Sequence, residues 1–270
     1  MYLAIDIGGT KTLLAVFNQT GKVVFEHKLS TGKTYKDFLV AVEQALKGDL
    51  KDYEFDWCCC AAPGHVNHKN GVVEAFGNLP WKNVPLKTDL KRLLGSAQVI
   101  IENDAKLGGL SEAILVHDKY NKVLYLTVST GIGGGVITNE KIDPDFIDLE
   151  PGFMILEHDG KLLKWEDFAS GRALKERYGK LAGEIDDSKI WEEYTQGLAL
   201  GIEQLLAVIH PDAVVIGGGA GAHFEKFASY LGVHLKQLES DLVNIPPVVK
   251  AQRPEEAVIY GCYELIKQSI

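Results

Sequence analysis

The chain has 270 residues, 46% of them hydrophobic and 24% charged, which is the balance of a globular protein and excludes the disordered and fibrous classes. Its 28 basic and 37 acidic residues give a formal charge of -9, so the surface repels nucleic-acid backbones and anionic lipid. A small anionic ligand then needs local positive dipoles to hold it. No stretch approaches the roughly 18 apolar residues of a membrane span, and Met1–Asp6 lacks the basic-then-apolar build of a leader. The expectation is a cytoplasmic protein with neither nucleic-acid nor membrane partners. Of the four cysteines, Cys58, Cys59 and Cys60 are consecutive, and no Cys-x-x-Cys pair occurs. They read as small core hydrophobes in a reducing compartment, not as disulfide or zinc ligands.

Taken in chain order, the apolar run Tyr2–Ile7 predicts a strand, Gly8-Gly9-Thr10-Lys11 a tight turn, and Thr12–Phe17 a second strand. An Asn18–Gly21 turn leads to a third strand at Val23–Phe25. Phe38, Val42 and Leu46 recur at helical spacing within Tyr35–Leu46. Asp56–Ala61 reads as a strand ending at Pro63-Gly64, and Val99–Ile101 as a short strand followed by a helix over Ala105–Leu115. Val123–Val128 is the next strand, Ser129–Gly135 a second glycine turn, and Val136-Ile137 a further strand. Helices are expected over Trp165–Arg177 and Ile190–Ile209. The strand Ala213–Ile216 runs into Gly217-Gly218-Gly219-Ala220-Gly221. Helices over Phe224–Leu238 and Pro254–Ile270 close the chain. Alternating strands and helices indicate an α/β protein. The phrase of strand, Gly/Thr turn, strand and polar turn occurs twice, which indicates two similar halves.

A glycine turn after a strand brings backbone close to a ligand, and its successive N–H groups form a nest for phosphate. Thr10, Ser129 and Thr130 add hydroxyl donors, Lys11 adds charge, and Asp6 stands where a carboxylate can hold Mg²⁺ through water. The plain alternative is two hairpins in which glycine only permits the turn. No Walker-type Gly-x-x-x-x-Gly-Lys-Ser/Thr is present. Gly217-x-Gly219-x-x-Ala222 matches a dinucleotide fingerprint only loosely, and a backbone contact with adenosine explains it as well. Asn103-Asp104 ends a strand and opens a helix. Its residues suit either an N-cap or a general base that takes the proton of an attacking hydroxyl. Glu150 and Glu166 are further acceptors for sugar hydroxyls, or solvated surface carboxylates.

The ordered set of motifs resembles the ROK family (repressor, open reading frame, kinase) and its glucokinase relatives, almost from end to end. Asp6-Ile7-Gly8-Gly9-Thr10-Lys11 is similar to the family's first phosphate motif, Ala62-Pro63-Gly64 to its Pro-Gly turn, and Asn78-Leu79-Pro80-Trp81 to its Asn-x-x-Trp sugar segment. Glu102-Asn103-Asp104-Ala105 resembles the catalytic motif. Ser129–Gly135, including Gly131 and Gly133, resembles the second phosphate motif, and Val215–Gly219 the adenosine motif. Trp165–Gly171 is similar to its Glu-x-x-x-Ser-Gly stretch.

The resemblance implies a two-domain actin-like ATPase (ribonuclease H-like) fold, with duplicated mixed sheets flanked by helices and a cleft between domains. The domains would be 1–103 and 104–255, with a helix about 256–270 returning to the first. It implies an ATP- and Mg²⁺-dependent hexose kinase, glucose being the first expectation and another hexose or an N-acetylhexosamine the alternative. Asp104 would be the base. Asn78, Asn103, Glu150 and Glu166 would bind sugar, Asp6 and the two glycine turns would hold Mg²⁺ and phosphates, and Gly217-Gly218-Gly219 would hold adenosine. A homodimer is also implied as possible. Two features depart from the pattern. Glu150-Pro151-Gly152-Phe153 has phenylalanine where the family has histidine, and Phe153–Lys164 lacks the family's zinc-binding cysteines, so no zinc is expected. His158 lies nearby and is expected to be exposed. These departures point to a relaxed or shifted sugar specificity, with a non-catalytic sugar-binding protein as the alternative to the kinase. A repressor would carry a helix-turn-helix ahead of Asp6, for which the sequence leaves no room. An acyl or acetate kinase does not account for the Asn78 and Asn103-Asp104 segments.

Overall fold

The computed structural model describes residues 1–253 and 256–270, and the chain divides into two compact units, residues 1–111 with 256–270 and residues 112–255. In chain order the elements are β1 (Tyr2–Ile7), β2 (Lys11–Phe17), β3 (Val23–Ser30), α1 (Tyr35–Lys47), β4 (Trp57–Ala62), β5 (Gly64–Asn67), β6 (Val72–Phe76), β7 (Lys82–Val84), α2 (Leu86–Leu94), β8 (Gln98–Asn103) and α3 (Asp104–Ile114). They continue as β9 (Lys122–Val128), β10 (Ile132–Thr138), β11 (Lys141–Ile142), β12 (Ile155–His158), β13 (Lys161–Lys164), α4 (Trp165–Ala169), α5 (Gly171–Tyr178), α6 (Ser188–Ile209), β14 (Ala213–Gly217), α7 (Gly218–Gly221), α8 (Ala228–Leu238), β15 (Val248–Lys250) and α9 (Ala257–Ser269). The sequence reading divides the domains at Asp104, whereas the division between units falls inside α3, after Ser111.

Each unit is built on a five-stranded mixed sheet, in the orders β3-β2-β1-β4-β8 and β11-β10-β9-β14-β15. In both, two antiparallel pairings are followed by two parallel ones, so the repeated phrase in the sequence is a repeated topology. In the first unit Leu3, Ile5 and Ile7 point into the core beneath α1 and α2. Tyr2 and Ala4 point to the other face, where α9 packs. The period of two explains the cysteines. Cys58 and Cys60 enter the first core and Cys59 the second, all free and fully buried. Gly261 lets the backbones of α9 and α3 touch, since a Cβ there would stand 1.9 Å from the Leu107 carbonyl oxygen.

Several elements differ from the sequence reading. The small sheet β5-β6-β7 and the helix α2 were not foreseen, nor were β15 and the hairpin β12–β13. Gly133, Gly134 and Gly135 are not turn residues. They lie in β10, opposite Thr127, Leu126 and Tyr125. Glycine suits Gly134 because Pro151 and the Tyr125 carbonyl approach to 3.0 Å of where a Cβ would be. The stretch Trp165–Arg177 is two helices. Extended backbone at Ser170 (ψ 168°) ends α4, and the Ser170 hydroxyl accepts from the Ala173 N–H as the N-cap of α5. Phe224–Lys226 is a single tight turn ahead of α8, and Pro254 and Glu255, at the head of the expected last helix, lie outside the described residues.

Candidate functional site

In the first unit β1, β4 and β8 run parallel, and their carboxyl ends carry the candidate residues, the usual ligand edge of such sheets. Asp6, Ala61 and Glu102 stand in one row across these strands. The chain turns back after Ile7, and the Gly8 N–H donates to the Lys11 carbonyl at 3.0 Å. Gly9, Thr10 and Lys11 are exposed at this turn. A Cβ on Gly8 would sit 2.6 Å from the Lys11 carbonyl oxygen. The amide of Asn78 lies against Gly9, with its Nδ2 3.1 Å from the Cβ position. Trp81, three residues on, is buried beside Phe38 and Phe76 and anchors the Asn78 segment.

Asn103 is the N-cap of α3. Its Oδ1 accepts from the N–H groups of Ala105 (2.9 Å) and Lys106 (3.2 Å), and its Nδ2 donates to the Gly64 carbonyl at 3.0 Å. The capping role raised in the sequence reading is therefore present, and it leaves one Nδ2 hydrogen beyond these bonds. Asp104 Oδ1 accepts from the Ala105 N–H at 2.9 Å. Burial raises the Asp104 carboxyl above its ordinary value, opposed by that N–H and by the charge of Lys106. Burial, aided by the charge of Asp104, pushes the Asp6 carboxyl up to about 7. Two neighbouring carboxyls that resist ionisation form a site that gains from a cation or from proton transfer.

In the second unit, residues 129–131 form the turn between β9 and β10, where the Ser129 N–H donates to the Gly131 carbonyl at 2.9 Å. Ser129 and Thr130 are exposed. The Gly217-Gly218-Gly219 segment packs on the same end of β9. A Cβ on Gly218 (φ +82°) would meet Thr127 Oγ1 at 2.6 Å and the Val128 carbonyl oxygen at 2.7 Å. Glu166 also comes to this turn, with its Oε2 2.5 Å from a Cβ built on Gly131 and 3.1 Å from one on Gly152. Thus the turn between β9 and β10, the glycine run after β14, Glu166 and the Glu150–Phe153 turn are gathered in one unit. Gly133 lies one residue into β10, beyond the turn.

The segment where zinc-binding cysteines were missing is the hairpin β12–β13, closed by Asp159-Gly160, both at positive φ (53° and 76°). His158 is not exposed. Its ring stacks on Phe168 with centroids 4.2 Å apart. Phe153 is 52% exposed, with Lys164 Nζ 4.3 Å above its ring.

The pattern that defines the ROK family matches residues 2–269. The chain belongs to the ROK family. It is 29% identical to an N-acetyl-D-glucosamine kinase of Haemophilus influenzae, over 98% of this chain and 99% of the relative. It is 32% identical to a glucokinase of Streptomyces coelicolor, over 66% of this chain and 58% of that one. Among solved structures it superposes on a ROK glucokinase from Streptomyces griseus, in complex with glucose and AMPPNP, with a TM-score of 0.83 at 23% identity and 99% coverage of both chains. The fold is that of the ROK sugar kinases.

Three features of this ROK protein's site escaped the sequence reading. Lys106 is a buried cation two residues after Asp104. Gly171 donates to the Ser129 carbonyl at 2.7 Å and ties α5 to the second turn. His68, in the turn between β5 and β6, meets the buried Glu102 carboxylate at 2.9 Å. Gly171 and His68 have no sequence signal of their own, because each acts through a partner distant in the chain, whereas Lys106 is marked only by its place two residues after Asp104.

Proposed function

We propose that this ROK-family phosphotransferase, whose acceptor is an alcohol group, transfers the γ-phosphoryl group of ATP to the 6-hydroxyl of a hexose. Glucose and the N-acetylhexosamines are the first substrates to test, since relatives named for both resemble the chain to a similar degree. The observation that carries the reading is the gathering of Asp6, Gly8–Lys11, Asn78, Asn103 and Asp104 at one end of a single sheet.

In this reading Asp104 accepts the proton of the attacking hydroxyl. A carboxyl raised by burial is a stronger base than an ordinary aspartate, which suits that task near neutral pH. Asn78 and Asn103 orient the sugar, and Glu150 and Glu166 bind its hydroxyls. The turn at Gly8–Lys11 and the turn at Ser129–Gly131 cradle phosphates with backbone N–H groups and hydroxyls. The run Gly217–Gly219, which has no side chains to obstruct it, lies along adenosine. Asp6 fits Mg²⁺, because a carboxyl pushed up to about 7 beside Asp104 is relieved of its repulsion by a divalent charge. It would hold the ion through water, and the ion would neutralise charge on the phosphates.

The experiment is ADP release measured with a panel of hexoses and N-acetylhexosamines. Sugar-stimulated turnover with at least one supports the reading, and no stimulation by any sugar refutes it. A non-catalytic sugar binder would instead bind sugar in calorimetry without turnover.

A further inference from the structure

We propose that Thr31 is a positioning residue for the first glycine turn. The inference rests on the reading that this turn cradles the phosphates of ATP. Thr31 follows β3, is fully buried, and lies outside every motif in the sequence. Its hydroxyl donates to the Gly8 carbonyl at 2.7 Å, and its backbone N–H donates to the Thr10 carbonyl at 3.0 Å. Thr12, also fully buried, has its hydroxyl oxygen 3.0 Å from that of Thr31. A threonine hydroxyl has a single hydrogen, and that of Thr31 goes to Gly8. Thr12 is therefore the donor between the two, and a chain runs from the Thr12 hydroxyl through the Thr31 hydroxyl to the Gly8 carbonyl.

The consequence is orientation. In a planar trans peptide the carbonyl of one residue and the N–H of the next point in opposite directions. With the Gly8 carbonyl turned to Thr31, the Gly9 N–H is directed away from it, towards the exposed side of the turn. The peptide after Thr10 is fixed likewise, through its carbonyl. Glycine at positions 8 and 9 permits many orientations of these planes, and Thr31 selects one. The side chain thus sets the direction of a phosphate-binding N–H without touching phosphate.

The test compares Thr31→Val, Thr31→Ser and Thr12→Val with the wild type in steady-state kinetics, varying ATP and sugar separately. Thr31→Val keeps the buried volume and removes the hydroxyl. It is expected to raise KM for ATP by on the order of tenfold, the effect of losing one buried hydrogen bond, with KM for sugar within twofold of wild type. Thr31→Ser, which restores the hydroxyl, returns KM for ATP to the wild-type value. Thr12→Val, which removes only the upstream donor, raises it by a smaller factor. Should Thr31→Val fail to fold, the serine and Thr12 variants decide the matter by the same criteria. If the wild type turns over sugar and Thr31→Val lowers thermal stability with KM for ATP unchanged, Thr31 is merely structural and the proposal is overturned. If the wild type shows no sugar-dependent ADP release at all, the proposal falls with the reading beneath it.

Discussion

Replacing Asp104 with asparagine separates its proposed role as base from any role in the fold. The two side chains have the same shape, and an asparagine Oδ1 keeps the bond from the Ala105 N–H now made at 2.9 Å. Asparagine also removes a carboxyl whose ionisation burial resists, so thermal stability is expected to be unchanged or slightly higher. What it removes is the proposed proton acceptor. Loss of a positioned general base lowers kcat by roughly 10²–10⁴, or about 2.7–5.4 kcal/mol at about 1.36 kcal/mol per tenfold. Sugar affinity measured by calorimetry should stay within about threefold, since a hydroxyl still meets an acceptor oxygen. The pH profile adds a check with a defined sign. A raised carboxyl loses its ionised, active form as pH falls through the raised value. The acid limb of kcat/KM in the wild type therefore lies above the 3.8 of an ordinary aspartate, and it disappears from the residual activity of the variant. A coupled ADP assay over a pH series measures both. A variant within threefold of wild-type kcat would refute the reasoning, because the Asp104 carboxylate would then not be needed as base.

Other expected outcomes follow from single contacts. Gly261→Ala drives a Cβ to 1.9 Å from the Leu107 carbonyl oxygen, so α9 must move off α3 at a cost of at least about 1–3 kcal/mol, read from urea unfolding. An alanine variant of wild-type stability would show that the helices are not in this contact. Phe153→His restores the donor that the family has there and should shift the ratio of kcat/KM between glucose and N-acetylglucosamine by roughly two- to tenfold. Unchanged ratios would put residue 153 out of the sugar's reach. A zinc-selective chelator, added with Mg²⁺ in excess, should leave activity unchanged because the family's cysteine ligands are missing from Phe153–Lys164. Loss of activity on chelation would contradict that expectation.

Much of the fold was legible because the informative signals are local. The apolar runs Tyr2–Ile7 and Val123–Val128, glycine at the turns, and the Asn103-Asp104 boundary each declare themselves within a few residues. The hairpin β12–β13 carried an equally local signal, Asp159-Gly160 between two short segments of four residues that each hold two apolar ones. It was obscured by comparison with a zinc segment. The glycines of β10 misled because glycine in a strand and glycine in a turn look alike until the residue needing the space, Pro151 in this case, is known. Sheet β5-β6-β7 was missed because its strands are short and half-exposed. The part of the site that stayed hidden is the part that depends on distant pairings. Thr31 is 23 residues from Gly8 and His68 is 34 from Glu102, and nothing in either local sequence marks the partner.

The most direct measurement is product analysis by phosphorus NMR after incubation with ATP, Mg²⁺ and the preferred sugar of the panel. The account predicts one phosphate monoester on the sugar's 6-oxygen for each ADP formed, and no product with the 6-deoxy sugar. ADP appearing with free phosphate in place of sugar phosphate, or a phosphate on any other hydroxyl, would contradict it.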